Sequence, residues 1–433
     1  MAVLFWFFYI AAFSANLYVI STINIRNIDL IDGVIIGQMY FIMIPLAFIL
    51  GMGELEAADI GLTYLPYQDT ETTLLLLIGG FLFPSMRFVV RRTDTSRPDT
   101  TQPYFRQTVI LLFFFFAVVS FLMSGLASGG HWQGNLETAL SENTGFVYIK
   151  HASNTLRTVV FGVLVYSYAS GRLSKTQVFA LGFIFSALDL FLTFNRITAV
   201  YYLISVVLIL RSNISRLALL SITLPLLSLV SVIWPMFRGL ATLGGYNLRS
   251  LQNAAETAQS HSDAASLTNG LNGVFESSNI TVLNWIVENF GRPPNEFLAG
   301  DMFIRGLTIL VPRSIWPAKP EGFGVQLGEA IANRPELALN STMYGECFAN
   351  FGWGWPIAMC VYILILHFMF RAVAGSARGV QAMGAFVGIA IWRFDSSFAV
   401  ISFVIVAGIA LGLRLRTMLL LGRRSSNRRV GAR

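Results

Sequence analysis

An all-α bundle that crosses the membrane many times is the architecture that this sequence indicates, and composition and spacing both point to it. Of the 433 residues, 55% are hydrophobic and only 12% are charged, whereas soluble domains carry about 25% charged residues. The apolar residues fall into repeated runs of roughly 17 to 22 residues, the length that an α-helix needs to cross bilayer hydrocarbon. The bundle itself is therefore expected to be the domain.

Eleven apolar runs are predicted to span the membrane, within a range of ten to thirteen. The chain then divides into a bundle of eight spans (1–237), a large outer loop (238–349), and a last part (350–433) with three spans and a basic tail. The predicted spans are 2–21, 33–51, 72–90, 108–125, 155–170, 178–194, 198–210, 217–236, 351–370, 382–393 and 398–413.

The connecting loops predict orientation, because short cytoplasmic loops collect Lys and Arg. Basic and acidic loops alternate, which puts the N-terminus outside and the C-terminus inside. The net charge of +7 then follows from topology and does not indicate nucleic-acid binding, which needs a basic patch with base-reading residues. The basic residues predicted inside are Arg26, Arg87, Arg91, Arg92, Arg97, Arg106, Arg172, Lys175, Arg211, Arg216, Arg371, Arg378 and the seven arginines from Arg414 to Arg433.

The outer loop is too long to be a simple connection. Residues 279–290 have helical spacing with an interfacial Trp, and 297–310 form a second apolar segment that is too short to span. We expect two amphipathic helices lying on the outer leaflet. Cys347 and Cys360 are expected to be free thiols.

Soluble-enzyme and metal signatures are absent from the sequence. There is no P-loop, no HExxH and no CxxC, and none of the four His is paired at ligand spacing. No metal and no cofactor are therefore predicted.

Arginines on the predicted outer side are the main candidates for binding. Arg157, Arg196, Arg238 and Arg393 stand at outer ends of spans, and Arg313 lies in the large loop. Guanidinium groups bind phosphate oxygens in bidentate fashion and stay charged in a partly dry site. A lipid-linked phosphate or pyrophosphate is the expected anion, and snorkelling to lipid headgroups is the alternative.

One span ends with three polar residues on a single face. Asp189, Thr193 and Arg196 recur at i, i+4 and i+7. Ionisable residues at membrane depth usually mark function or pair internally. Asp189 is thus either part of a functional site or a residue that holds two helices together by an internal pair.

The large loop contains a stiff, cation-bearing motif. Pro312 and Pro317 fix the backbone on either side of Arg313. Lys319 adds a second cation, and Gly324 allows a ligand to approach the backbone closely. We expect this segment to contact an anion.

Candidate bases are few. Glu346 could take a proton from a sugar hydroxyl, or it could simply pair with an arginine. His151, at the outer start of the fifth span, is the competing candidate. Asn350 follows Glu346 within the same polar cluster, ahead of the ninth span.

These segments resemble the bacterial O-antigen and related oligosaccharide repeat-unit polymerases, the Wzy type. The resemblance is carried by Phe297-Leu-Ala-Gly300-Asp301, by Pro312-Arg313-Ser-Ile-Trp316-Pro317-Ala-Lys319-Pro320, and by Gly345-Glu346-Cys-Phe-Ala-Asn350-Phe351-Gly352-Trp-Gly354. Arg313 and Gly324, with ten residues between them, also fit the Arg-x10-Gly pattern of such polymerases. A convincing second element of that pattern is not found in the smaller outer loops.

The resemblance implies a metal-independent membrane glycosyltransferase with a glycosyltransferase-C-like fold in the bacterial inner membrane. Donor and acceptor would be undecaprenyl-pyrophosphate-linked glycans, with a chain-length regulator and a flippase as partners. Arg313, Arg196 and Arg238 would contact the pyrophosphate. Two alternatives stay open: an O-antigen ligase that hands glycan to lipid A core, which should present an essential His in the large loop, and a flippase or transporter. In that loop the sequence offers only His261.

Overall fold

A computed structural model describes residues 1–57, 60–92, 99, 107, 110–115, 118, 144–193, 197–211, 275–311, 315–334 and 338–430, with the backbone alone at 144–151, 190–193, 413 and 416–430. The described residues are mostly helical, which confirms the predicted all-α class. Two short strands, β1 (Leu55–Ala57) and β2 (Leu62–Tyr64), form an antiparallel hairpin that the sequence did not predict.

The helices differ in length and several are too short to cross a bilayer. In chain order they are α1 (Ala2–Thr22), α2 (Leu30–Gln38), α3 (Ile44–Met52), α4 (Thr70–Val89), α5 (Thr144–Ala169), α6 (Lys175–Thr193), α7 (Ile197–Leu210), α8 (Ser278–Asn289), α9 (Asp301–Leu307), α10 (Phe323–Ala332), α11 (Thr342–Phe351), α12 (Trp355–Ala374), α13 (Arg378–Ala390) and α14 (Ser396–Val430). A π-helical turn, Met39–Met43, joins α2 to α3.

Four helical stretches of the described chain are long and apolar enough to cross a membrane, by length and composition. Two shorter apolar stretches, Ile197–Leu210 and Ser396–Gly412, coincide with further predicted spans. The predicted spans 108–125 and 217–236 lie mostly or wholly outside the described residues, so the total of eleven stays a prediction. Helices of this kind indicate a membrane protein. The four long stretches are Ala2–Thr22, Leu30–Met52, Thr70–Val89 and Thr342–Ala374.

α2 and α13 pack more closely than side chains of ordinary size allow. A Cβ atom at Gly33 would lie 1.7 Å from the carbonyl oxygen of Ala385, and one at Gly388 would lie 2.3 Å from that of Leu30. Small residues allow such backbone approach between membrane helices. Because nearly every residue of both helices is buried, this pair forms the centre of the described helices.

Pro84 inside α4 explains one of two buried amide contacts to that helix. Pro84 has no N–H, so the carbonyl of Gly80 loses its helical partner. Asn16 of α1 donates its Nδ2 to that carbonyl at 2.8 Å, and Gln38 of α2 donates its Nε2 to the carbonyl of Gly79 at 2.7 Å. α1 thus satisfies the carbonyl that Pro84 leaves without a helical partner, which the bilayer could not do.

One end of the bundle is closed by a buried ionic network. Arg87 Nη2 lies 3.0 Å from Asp29 Oδ2 and 3.3 Å from Asp32 Oδ2. Arg92 Nη2 lies 2.9 Å from Asp32 Oδ1, and its Nη1 donates to the carbonyl of Thr22 at 3.1 Å. These contacts join α1, α2 and α4 at the end that the charge pattern places inside.

At the opposite end, α8 corrects one expectation. The predicted helix at 279–290 is present as α8, but it is not an amphipathic helix on the surface, since most of its residues are buried. Thr72 of α4 donates to Asn284 Oδ1 at 2.6 Å, and Asn284 Nδ2 donates to Asp69 at 3.2 Å. Its mixed sequence is packed among α4, α11 and the hairpin.

The second predicted surface helix, 297–310, is also shorter than expected. α9 begins only at Asp301, because Gly300 takes a left-handed conformation with φ of 96°. The preceding residues run along α11 instead, where Leu298 donates its N–H to the carbonyl of Ala349 at 2.9 Å. Ile304 and Leu307 remain exposed on α9.

Candidate functional site

Glu346 and Asn350 lie one turn apart on α11, and this placement departs from the expected loop. Residues Thr342–Asn350 are all buried, and the helix ends at Phe351, before Gly352 with φ of 52°. The i, i+4 spacing puts both side chains on one face. The N-termini of two other helices, α14 and α9, contact that face.

The side chain of Glu346 is hydrogen-bonded to Ser396, the first residue of α14. Its Oε2 accepts the backbone N–H of Ser396 at 2.8 Å, and its Oε1 is 2.5 Å from the Ser396 hydroxyl. The first N–H groups of a helix lack partners within it, and a carboxylate there also meets the positive end of the helix dipole. Glu346 is therefore a helix cap supplied from another part of the chain.

Asn350 does the same for α9. Its Oδ1 accepts the N–H of Gly300 at 3.1 Å and of Met302 at 3.4 Å, and its Nδ2 donates to the carbonyl of Glu346 at 2.7 Å. The side chain is almost fully buried. Glu346 and Asn350 thus fix α14 and α9 against α11.

Arg305 completes the cluster, and it is a residue that sequence reasoning missed. Its Nη1 lies 3.2 Å from Asp395 Oδ2 and 3.1 Å from Ser397 Oγ, while its Nε donates to the carbonyl of Pro320 at 3.1 Å. Asp395 also accepts the N–H of Phe398 at 3.2 Å. Asp-Ser-Ser before an apolar run is a helix-start signal that could have pointed to Asp395; no local pattern points to Arg305.

Lys319 and Gly324, both predicted to contact an anion, have partners within the chain. Lys319 is buried, and its Nζ donates to the carbonyls of Ile309 at 2.8 Å and Val311 at 3.0 Å. A Cβ atom at Gly324 would lie 2.7 Å from the carbonyl oxygen of Leu339. The close backbone approach at Gly324 is therefore made by the chain itself.

Arg157 is paired with Asp189 at the interface of α5 and α6. The Arg157 Nε lies 2.8 Å from both Asp189 oxygens, and its Nη1 donates to Asn154 Oδ1 at 2.5 Å. Both charged side chains are almost fully buried. Of the two expectations for Asp189, the internal pair is the one observed.

Arg393 lies on the turn between α13 and α14 and is paired with Glu276. Its guanidinium also stands 5.9 Å from the ring centroid of Phe394. Arg157, Asp189 and Arg393 all lie near the buried Tyr201 of α7. The structure thus brings Arg157 and Arg393 to one region, each with a carboxylate partner.

Four predicted site residues have no described side chain. Arg313, Arg196 and Arg238 lie outside the described residues, and only the backbone of His151, on α5, is described. Whether they meet Glu346 and Arg305 stays a prediction.

The cluster formed by Arg305, Glu346, Asp395 and Ser396, which we call the α11 cluster, combines two carboxylates with one guanidinium. Such a group can hold a proton or orient a hydroxyl, since a hydroxyl and a carboxyl oxygen stand at hydrogen-bond distance. Within the described part of the chain, no group of three or more His, Cys, Asp or Glu side chains is placed to hold a metal ion.

Comparisons with known proteins found no family model, no curated protein and no solved structure that matches the chain.

Proposed function

We propose that this protein is a membrane glycosyltransferase that polymerises undecaprenyl-pyrophosphate-linked oligosaccharide repeat units. The reaction would take place at the periplasmic face of the bacterial inner membrane and yield O-antigen or a related surface polysaccharide. In this proposal the bundle has about eleven spans in a glycosyltransferase-C-like arrangement, and residues 238–349 form the periplasmic loop.

One observation carries the proposal: of the three separated segments that resemble repeat-unit polymerases, two are hydrogen-bonded to each other, and the last residue of the third is bonded to Arg305 in the same cluster. The segment at 297–301 is bound to the segment at 345–354 through Asn350 and through the Leu298–Ala349 hydrogen bond. Arg305 joins the same place to Pro320, the last residue of the Pro-Arg motif. Segments that share one site are expected to converge in this way, which supports the resemblance.

The reaction that we propose needs no cofactor. The terminal hydroxyl of the acceptor glycan attacks the anomeric carbon of the donor glycan and forms the new glycosidic bond. The bond from that carbon to the pyrophosphate oxygen breaks, and undecaprenyl pyrophosphate leaves with the electron pair. The hydroxyl proton passes to a base, and cations stabilise the charge that develops on the leaving group.

We assign the leaving-group contacts to Arg313, Arg196 and Arg238. Arg157 and Arg393 are each balanced by a carboxylate, and we assign them to holding the helices in place. Glu346 stays the proposed base, with His151 as the competitor. Each Glu346 oxygen that accepts from Ser396 has a further lone pair, so capping and proton transfer are compatible.

The test is incubation of the purified full chain with a defined undecaprenyl-pyrophosphate-linked repeat unit, without nucleotide sugar or metal. We expect a ladder of polymer and release of undecaprenyl pyrophosphate, and we expect Arg313→Ala to abolish the ladder. A normal ladder from Arg313→Ala would remove that residue from the site.

The same proposal is tested in cells by deletion of the gene. Loss of a polymerase leaves a single repeat on the surface, loss of a ligase accumulates lipid-linked polymer, and loss of a flippase leaves no exported repeat. Either of the last two outcomes would replace the proposal with the corresponding alternative.

A further inference from the structure

A groove of about 410 Å³ lies between α6 and α7, apart from the α11 cluster. Lys175, Phe179 and Phe183 recur at i, i+4 and i+8 along α6, so they share one face of the helix. From Lys175 to Phe183 the helix rises by about 12 Å. The lining residues are Lys175, Thr176, Phe179, Ala180, Phe183 and Tyr202.

The wall of the groove is aromatic and fixed. At Gly182, where α6 has no side chain, a Cβ atom would lie 2.8 Å from the ring of Tyr202, so that ring packs directly on the backbone of α6. Phe183 and Tyr202 pack edge to face with their ring centroids 6.4 Å apart. Phe183 is 62% exposed, so the groove opens to the surroundings of the helices and not to their interior.

The end of the groove is cationic. Lys175 is the first residue of α6, and its Nζ stands 5.9 Å from the ring centroid of Phe179. In the described part of the chain no carboxylate lies within ion-pair distance of Lys175, whereas Arg87, Arg157 and Arg305 each have one. A cation that no described carboxylate neutralises, at the end of an apolar groove, is complementary to a molecule with an anionic head and a hydrocarbon tail.

We propose that this groove binds one anionic phospholipid from the leaflet at the start of α6. The phosphate would lie at Lys175 and the hydroxyl of Thr176, and one acyl chain would lie along Phe179, Ala180 and Phe183. The charge pattern places the start of α6 at the cytoplasmic surface, where anionic lipids attract basic residues. The inference does not depend on the proposed polymerase activity.

The experiment is native mass spectrometry of the purified full chain, titrated with dioleoyl-phosphatidylglycerol or with dioleoyl-phosphatidylcholine. We expect the wild type to retain one molecule of the anionic lipid in preference to the neutral one. Lys175→Gln should lower the apparent affinity for phosphatidylglycerol about fivefold, as expected for one basic residue at a membrane surface. Lys175→Arg should retain it.

Two further variants make the outcome specific to the groove. Ala180→Trp fills the groove without changing charge and should lower the retention of both lipids. Arg172→Gln removes a charge at the same end of the helices but outside the groove, since Arg172 stands 5.7 Å from the ring centroid of Tyr166; it should change nothing. The proposal is overturned if Lys175→Gln binds like the wild type, if Arg172→Gln loses as much affinity, or if Ala180→Trp has no effect.

Discussion

Glu346 accepts both the backbone N–H and the hydroxyl of Ser396, a residue fifty positions further along the chain. A carboxylate on one helix therefore closes the first turn of another. The same side chain is the proposed base. Structural and catalytic contributions of Glu346 can be separated because they respond to different substitutions.

Replacement of Glu346 by Gln should lower the free energy of unfolding by about 2 kcal/mol, because the amide has one acceptor oxygen in place of two, so one of the two donors of Ser396 loses its partner. Thermal unfolding in detergent measures this change. Ser396→Ala removes the hydroxyl but keeps the N–H, so its effect should be smaller. Glu329→Gln, on the exposed face of α10, is the control. Equal stability of Glu346→Gln and wild type would contradict the capping role.

The Arg157–Asp189 pair should behave as a structural pair. Asp189→Asn leaves a buried guanidinium without its counter-charge and should destabilise the protein by about 3–5 kcal/mol. The double variant Arg157→Met/Asp189→Leu should recover much of that loss. Folded yield and the unfolding midpoint measure both effects. If Arg157 instead contacts pyrophosphate, the double variant would be stable but inactive.

The amide of Asn16 should matter most while residue 84 is a proline. Asn16→Ala leaves the carbonyl of Gly80 unsatisfied and should cost about 1–2 kcal/mol. Pro84→Ala restores an N–H for that carbonyl, so Asn16→Ala should cost less in this background. A double-mutant cycle measures the coupling between the two residues. Additive effects would show that Pro84 does not create the need for Asn16.

Gly388 should tolerate no side chain. In Gly388→Ala the new methyl group would overlap the carbonyl of Leu30, so we expect a loss of about 3 kcal/mol or more. Gly412→Ala on α14 is the matched control, since a Cβ atom there meets nothing within 4 Å. Detergent-solubilised yield and thermal unfolding distinguish the two. A stable Gly388→Ala would mean that α2 and α13 can separate at low cost.

Glu288 should make stability depend on pH. Burial, followed by the nearby charge of Asp69, raises the pKa of Glu288. The folded state then holds the proton more tightly than the unfolded state does, so stability falls as pH rises from the unfolded pKa through the folded pKa. Glu288→Gln should unfold at a higher temperature than wild type at pH 7, and this advantage should shrink at about pH 4. If Glu288→Gln is stabilised equally at both pH values, the raised pKa of Glu288 is not the cause.

Long apolar runs were sufficient to predict most of the helices, because α1, α4 and α12 each have the length and the apolar composition that are needed to cross a bilayer. α11 was not predicted, since Gly345 and Gly352 near Glu346 and Asn350 are typical of a loop. Its helix instead follows from burial of residues such as Tyr344. The start of α9 depends on Asn350, which no local pattern reveals.

The candidate site was predictable only in part, because some of its residues are brought together only by tertiary packing. Glu346, Asn350 and Lys319 stood out because polar residues are rare in this chain. Their partners did not, because Arg305 and Asp395 are ninety positions apart and meet only through the packing of α9 on α14. Whether a buried charge serves binding or structure depends on such partners, as the pairing of Arg157 shows.

The contacts of Asn16 and Gln38 with α4 have a consequence for the order in which the chain assembles. α1 and α2 are synthesised before α4, so the amides of Asn16 and Gln38 enter the membrane while their carbonyl partners are still in the ribosome. In a nascent chain that stops short of residue 70, the Asn16 amide can donate only to the carbonyl of Ala12 in its own helix, and the Gln38 amide lacks both Gly79 and Tyr344. Arrival of α4 gives each amide a carbonyl partner, but the surroundings of Gln38 are complete only when α11 brings Tyr344.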